Sequence, residues 1–74
     1  MSEEVPERVR ELFLLFKRAV EDERRAQKVY EDAMRLCEDA ELLKVLEEFY
    51  RQEVIHEKTL IQHYNRLRTE YGML

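Results

Sequence analysis

The chain has 74 residues, enough for one small domain whose core is marginal unless something reinforces it. It carries 13 Lys and Arg against 17 Asp and Glu, for a net charge of -4, and no basic block stands apart from the acidic residues. This distribution argues against a surface that binds nucleic acid or an anionic membrane. Ala, Glu, Lys, Leu and Arg make up more than half of the residues, whereas Gly and Pro occur once each, so we expect long helices and no β-sheet.

The apolar residues form no long uninterrupted segment. The longest apolar run, residues 12–16, is too short for a signal peptide or a membrane span, so we expect neither. The single cysteine, Cys37, cannot form an internal disulfide. We therefore expect a cytoplasmic protein whose small core is reinforced by a metal, by oligomerisation or by both.

A first amphipathic helix is predicted over about residues 5–37. The only proline, Pro6, fits the first turn of a helix, where a missing N–H is not needed. From there apolar residues recur every three or four positions and charged residues fill most of the gaps, which predicts a helix with one buried side. These apolar positions are Val9, Leu12, Phe13, Phe16, Ala19, Val20, Ala26, Tyr30, Ala33, Met34 and Cys37.

A second helix follows after a short turn. Asp39 has the pattern of a helix N-cap with an acidic residue in the first turn, which predicts a turn at residues 38–40 and a helix over about residues 41–70. Gly72 is the expected stop signal at the end of this helix. The apolar positions of the second helix are Leu42, Val45, Leu46, Phe49, Leu60 and Leu67.

The expected fold is an all-α, antiparallel two-helix hairpin. A connection of about three residues forces the helices antiparallel. Two helices meet along a line and leave half of each apolar stripe exposed, so another pair is needed to enclose a core. Residues 1–74 are therefore expected to form one half-bundle domain that dimerises into a four-helix bundle.

Three polar residues interrupt the apolar stripes. Glu23 lies in the first stripe, and Glu53 and His56 lie in the second. Glu23 precedes residue 39 by 16 positions, and the other two follow it by 14 and 17, so at ~1.5 Å per residue all three lie about 21 to 26 Å from the turn. A buried carboxylate without a partner is costly, so we expect the three to share a cation.

Ligand counting favours a site shared by two chains. A carboxylate-bridged di-iron or di-manganese centre in a four-helix bundle takes one Glu from each of two helices and a Glu-x-x-His pair from each of the others. Glu23 together with Glu53-x-x-His56 is half of that set. Two chains related by a two-fold axis would supply all of it.

These residues resemble a known half-motif. Glu23-x-x-Ala26-x-x-x-Tyr30, with Glu53-x-x-His56 further along the chain, resembles the ferritin-like and rubrerythrin superfamily. Within it, the chain is most similar to the two-helix encapsulated ferritins, in which helix pairs from two subunits assemble the ferroxidase centre at their interface.

The resemblance implies a function and a set of roles. It implies a di-iron ferroxidase that binds and oxidises Fe(II) for storage or detoxification, with Glu53 and His56 as metal ligands and Glu23 as a bridging or chelating ligand. Tyr30 would be a phenol next to the redox site. The resemblance also implies a homo-oligomer, either a dimer or a ring of dimers, and leaves an encapsulin shell open as partner and compartment. Manganese and zinc suit the same ligands as iron.

Two other functions are compatible with the sequence. One is a rubrerythrin-like peroxidase, although its usual rubredoxin-type domain needs four cysteines and the chain has one. The other is a metal-free helical oligomerisation module. In that case Glu23, Glu53 and His56 form a buried polar layer that fixes helix register.

Single residues also have plain structural interpretations. Tyr30 fits an ordinary core aromatic as well as a redox neighbour. His63 shares a face with the predicted site but lies about 10 Å further along its helix, so we expect it not to be a ligand. Cys37 is expected to fill packing volume. Glu21 and Glu57 flank the stripes and are expected to be solvated, with movement of either toward an incoming ion as the alternative.

Overall fold

The computed structural model describes residues 5–72, which form two helices and contain no strand. Helix α1 spans Glu7–Leu36 and helix α2 spans Ala40–Glu70. They pack against each other along their length in a rod of 60 × 16 × 15 Å. The predicted all-α pair of helices is confirmed. Neither helix has a stretch that is long and apolar enough to cross a bilayer.

The start of α1 differs from the prediction by two residues. The sequence predicts Pro6 inside the first turn, whereas in the structure it is the N-cap, with φ -54° and an extended ψ of 145°. Its carbonyl accepts hydrogen bonds from the N–H groups of Val9 at 3.0 Å and Arg10 at 3.1 Å. Because an N-cap has non-helical ψ while its carbonyl already bonds into the helix, the helix begins at Glu7.

The connection comprises residues 37–39, one position earlier than predicted. The Asp39 carboxylate accepts a hydrogen bond from the Leu42 N–H at 2.9 Å, so Asp39 is the N-cap of α2 as expected and Ala40 is its first residue. Cys37, predicted to end the first helix, has an extended conformation with φ -80° and ψ 126°. Its thiol donates to the Asp39 carbonyl at 3.2 Å.

The Asp39 cap gives a prediction about stability. Asp39→Ala leaves the Leu42 N–H without its acceptor, so we expect the free energy of unfolding to fall by about 1 kcal/mol. Asp39→Asn is the matched control, because its amide oxygen also caps, and it should stay close to the unchanged protein. Urea unfolding at one protein concentration measures both. Equal losses in the two variants would contradict the assigned role of the cap.

Helix α2 ends where predicted. Tyr71 is its C-cap, and its N–H donates to the Leu67 carbonyl at 3.0 Å. Gly72 has a positive φ of 66°, and its N–H donates to the Thr69 carbonyl at 3.1 Å. This is the left-handed stop for which glycine has no steric penalty.

The core of the hairpin is thin. Within residues 5–72 only Phe13 is buried, with 4% of its surface exposed. Its ring packs edge-on against Tyr64, at 5.1 Å between centroids, and Phe16 contacts the same ring at 6.1 Å. Two helices alone therefore enclose little more than one row of side chains.

Large apolar side chains are exposed on several sides of the hairpin, and we call the side that carries His56 the open face. On α2, Leu42, Phe49 and His56 are spaced by seven residues and so share that side. On α1, Leu12 precedes Glu23 by three helical turns and belongs to the same side. Leu12, Leu42 and Phe49 are all exposed on this side.

Candidate metal centre

The middle of the hairpin brings together a carboxylate from α1 and two side chains from α2. One donor atom from each of Glu23, Glu53 and His56 lies within 4.8 Å of the other two. The His56 Nδ1 atom is 3.5 Å from a Glu23 carboxylate oxygen and 3.9 Å from a Glu53 carboxylate oxygen. The antiparallel packing thus carries Glu23 to the level of the Glu-x-x-His pair, and the i, i+3 spacing puts both α2 groups on one side.

One carboxylate oxygen in this group lacks a partner. Glu23 Oε2, the oxygen that lies 3.5 Å from His56 Nδ1, is buried and accepts no hydrogen bond from the described part of the chain. The Glu23 and Glu53 side chains are 22% and 20% exposed. A buried acceptor left unpaired costs about 1–3 kcal/mol, and more when it is charged. A cation bound at this point would remove that cost.

The charges around the group leave it acidic. Within residues 5–72, Glu23 and Glu53 make no ion pair with Lys or Arg, and His56 is their charged or polar neighbour. The distances of 3.5 and 3.9 Å from the imidazole are longer than an ordinary hydrogen bond of about 2.7–3.2 Å. The three side chains are therefore close to one another without short hydrogen bonds between them.

The chemistry of the donors fits a divalent transition metal. Carboxylate oxygens and an imidazole nitrogen suit iron, manganese and zinc. Three donors leave coordination positions unfilled, and the His56 side chain is 56% exposed on the open face. The group is thus able to accept further ligands from that side.

Tyr30 is not part of this group. It lies two helical turns after Glu23, half-buried, with its ring packed against Phe49 at 5.9 Å between centroids. These two aromatic residues form the next layer toward the connection. The placement agrees with a core aromatic and leaves the redox role implied by the resemblance as a prediction.

His63 and Cys37 lie apart from this group. His63 is exposed, and its Nδ1 atom is 3.2 Å from the Arg66 guanidinium. Cys37 lies in the connection at one end of the hairpin. Neither belongs to the cluster of possible metal ligands found within residues 5–72.

The expectation that Glu57 is solvated is wrong. Its carboxylate accepts hydrogen bonds from Arg24 Nε and from Gln27 Nε2, each at 2.6 Å, and its side chain is 19% exposed. The hydrogen bond from Arg24, followed by that from Gln27, lowers the pKa of Glu57. The sequence does not predict this contact, because Gln27 precedes residue 39 by 12 positions and Glu57 follows it by 18, which places their backbones ~9 Å apart along the rod. Their long side chains span this offset.

Searches against known proteins found no relative. No protein-family model, no curated protein and no solved structure matches the chain.

Proposed function

We propose that this chain is a ferritin-like ferroxidase whose di-iron centre is shared by two copies. Glu23, Glu53 and His56 of each chain would hold Fe(II). The observation that carries the proposal is the cluster of Glu23, Glu53 and His56, in which the buried Glu23 Oε2 atom lies 3.5 Å from His56 Nδ1 and accepts no hydrogen bond. The similarity of the half-motif to two-helix encapsulated ferritins supports the same function.

A second copy is the partner that the ligand count favours. One chain brings two carboxylates and one imidazole, whereas a di-iron centre in a four-helix bundle uses four Glu and two His. The exposed apolar side chains of the open face, among them Leu12 and Phe49, lie on both sides of this level along the rod. Two-fold pairing over that face would cover them and complete the ligand set at once.

The proposed reaction is oxidation of Fe(II). Two Fe(II) ions held close together supply two electrons to one dioxygen molecule, which is reduced to peroxide while both ions become ferric. The contribution of the chain is to hold the ions with anionic ligands and to leave positions open. The carboxylates also favour the more highly charged ferric product, because they lower its electrostatic energy.

Metal titration followed by exposure to oxygen tests the proposal. Anaerobic Fe(II) titration should saturate at two ions per two chains, and air should then give ferric absorbance faster than in protein-free buffer. Hydrogen peroxide as the oxidant distinguishes the rubrerythrin-like alternative, for which peroxide should react much faster than dioxygen. A folded protein that binds no Fe(II), Mn(II) or Zn(II) would contradict the proposal and favour the metal-free module.

Iron storage would require a compartment. A rod of 60 × 16 × 15 Å has no interior for a mineral. We propose that oxidised iron passes to a ring or cage of copies or to an encapsulin shell, as the resemblance implies.

Assembly is predicted to depend on metal. A ligand that bridges two chains stabilises the paired state by mass action, and saturation at ~100 times the dissociation constant shifts the equilibrium about 100-fold. We therefore expect the fraction of dimer or larger even-numbered oligomer to rise with Fe(II) or Zn(II) and to fall with chelator. Sedimentation velocity measures this fraction. A monomer that stays folded at metal saturation would contradict the shared site.

A further inference from the structure

Three polar side chains form a bridge between the helices directly beside the metal level. The bridge consists of Arg24, Gln27 and Glu57: Arg24 Nε and Gln27 Nε2 each donate to a different oxygen of the Glu57 carboxylate at 2.6 Å. Gln27 Nε2 also lies 3.5 Å from the Glu53 backbone carbonyl. The bridge thus joins α1 to the segment of α2 that carries the candidate ligands.

The sequence positions link each bridge residue to a ligand. Arg24 immediately follows Glu23, and Gln27 comes one helical turn later. Glu57 immediately follows His56 on α2. A movement of either helix that broke the bridge would therefore also move a ligand.

The bridge is the main polar link between the helices within residues 5–72. Side-chain ion pairs elsewhere lie within a single helix and do not constrain the position of one helix against the other: Asp22–Arg25, Lys28–Asp32, Asp32–Arg35, Glu48–Arg51 and Arg66–Glu70. The other contacts between charged or polar side chains of α1 and α2 are those of His56 in the candidate site itself.

We propose that Arg24, Gln27 and Glu57 are positioning residues that set the separation of Glu23 from Glu53 and His56 before metal binds. This inference rests on the proposed function. Two donors from α1 on one carboxylate of α2 resist both sliding and rotation of the helices. Sliding by one residue displaces a ligand by about 1.5 Å, which is large against metal–ligand tolerances of about 0.2 Å.

The bridge also keeps Glu57 away from the metal. Glu57 lies one turn from Glu53 and immediately follows His56. Because both its oxygens accept hydrogen bonds, they are occupied. Without the two donors, Glu57 would be a free carboxylate next to the ligands and would compete for the ion.

Co(II) binding tests the bridge without involving iron oxidation. Co(II) takes the same types of ligand, and its visible absorption reports coordination geometry. We expect Gln27→Met, which keeps side-chain length but removes the donor, to weaken Co(II) binding by about 10–100-fold, as is typical for residues that support metal ligands, and to shift the visible bands. Glu57→Gln, which removes the charge paired with Arg24, should act in the same direction.

The controls separate positioning from general destabilisation. Gln62→Met makes the same chemical change at an exposed position on α2 and should leave Co(II) binding unchanged. The double variant Gln27→Glu/Glu57→Gln exchanges the two side chains and restores one donor and one acceptor between the helices. It should therefore recover most of the Co(II) affinity that the single variants lose. Circular dichroism of the metal-free proteins checks that helix content is equal.

The possible outcomes are distinct. Unchanged affinity and bands in Gln27→Met and Glu57→Gln, with normal binding by the unchanged protein, would overturn the positioning role alone. Failure of the unchanged protein to bind Co(II) would overturn the metal site and this inference with it. Weakened binding that the exchange does not rescue would also count against positioning, because it indicates a nonspecific loss.

Discussion

Glu23→Ala is expected to reduce Fe(II) oxidation to the rate of protein-free buffer while the helices remain. Glu23 is the only α1 residue in the candidate ligand group found within residues 5–72. Its removal leaves Glu53 and His56 from one helix, which cannot hold an ion between the helices. The substitution also removes the buried, unpartnered Oε2 atom, so the metal-free fold should gain rather than lose stability. Stopped-flow absorbance after aerobic Fe(II) addition measures the rate.

Two controls accompany this measurement. Glu21→Ala removes an exposed carboxylate two positions earlier on α1 and should keep the full rate. Zn(II), which has similar ligand preferences but no redox chemistry, should inhibit the unchanged protein by occupying the site. If traces from the unchanged protein, Glu23→Ala and the zinc-treated protein all coincide with buffer, the ferroxidase proposal is wrong and any metal site is structural.

The opposite signs expected for activity and stability make Glu23→Ala especially informative. A residue that only fixed the register of the helices would lower stability when truncated, because its interactions hold the native state. Truncation of a metal ligand that carries an unsatisfied charge in the metal-free protein should instead raise stability. Urea unfolding of the chelated proteins therefore distinguishes the polar-layer interpretation from the metal site, independently of any iron chemistry.

The positions at which the helices begin and end are determined by local signals in the sequence. The apolar period, the Asp39 cap and the Gly72 stop each act within a few residues, so they can be recognised without knowing the fold. The incorrect prediction that Pro6 lies inside α1 also has a local cause. A proline suits both the first helical position and the residue before it, and the extended ψ of 145° decides between the two.

The site was less predictable because it depends on how the two helices are aligned. Distances from the turn bring Glu23 and Glu53 to the same level, and stripe position assigns them to the interior. The same counting does not pair Gln27 with Glu57, which lie 12 and 18 positions from residue 39, and the stripe pattern predicts a solvated charge at Glu57. Its actual environment arises from two donors on the other helix, one of them from Arg24. Charged residues at the edge of an apolar stripe can reach either solvent or the other helix, and the sequence pattern alone does not distinguish these directions.

His56→Ala and Glu53→Ala are expected to abolish tight metal binding. Changes in residues that merely support a ligand cost about 10–100-fold in metal affinity, so loss of a ligand should cost more than about 100-fold. The two substitutions also act differently: His56→Ala removes an exposed nitrogen donor and leaves both carboxylates, whereas Glu53→Ala removes one of the two negative charges. Zn(II) titration by calorimetry measures both affinity and stoichiometry.

His63→Ala is the matched control, since His63 is an exposed histidine on the same helix and its contact is with Arg66 rather than with the carboxylates. It should retain one ion per chain.

Loss of metal binding in His56→Ala and Glu53→Ala should also prevent assembly that depends on metal. If metal bridges two chains, a variant that cannot bind metal must fail to oligomerise further when Zn(II) is added, because ligand and partner stabilise the same state. Stoichiometric Zn(II) retained by both His56→Ala and Glu53→Ala would contradict the ligand assignment, and zinc-driven assembly of those variants would show that the metal acts elsewhere on the chain.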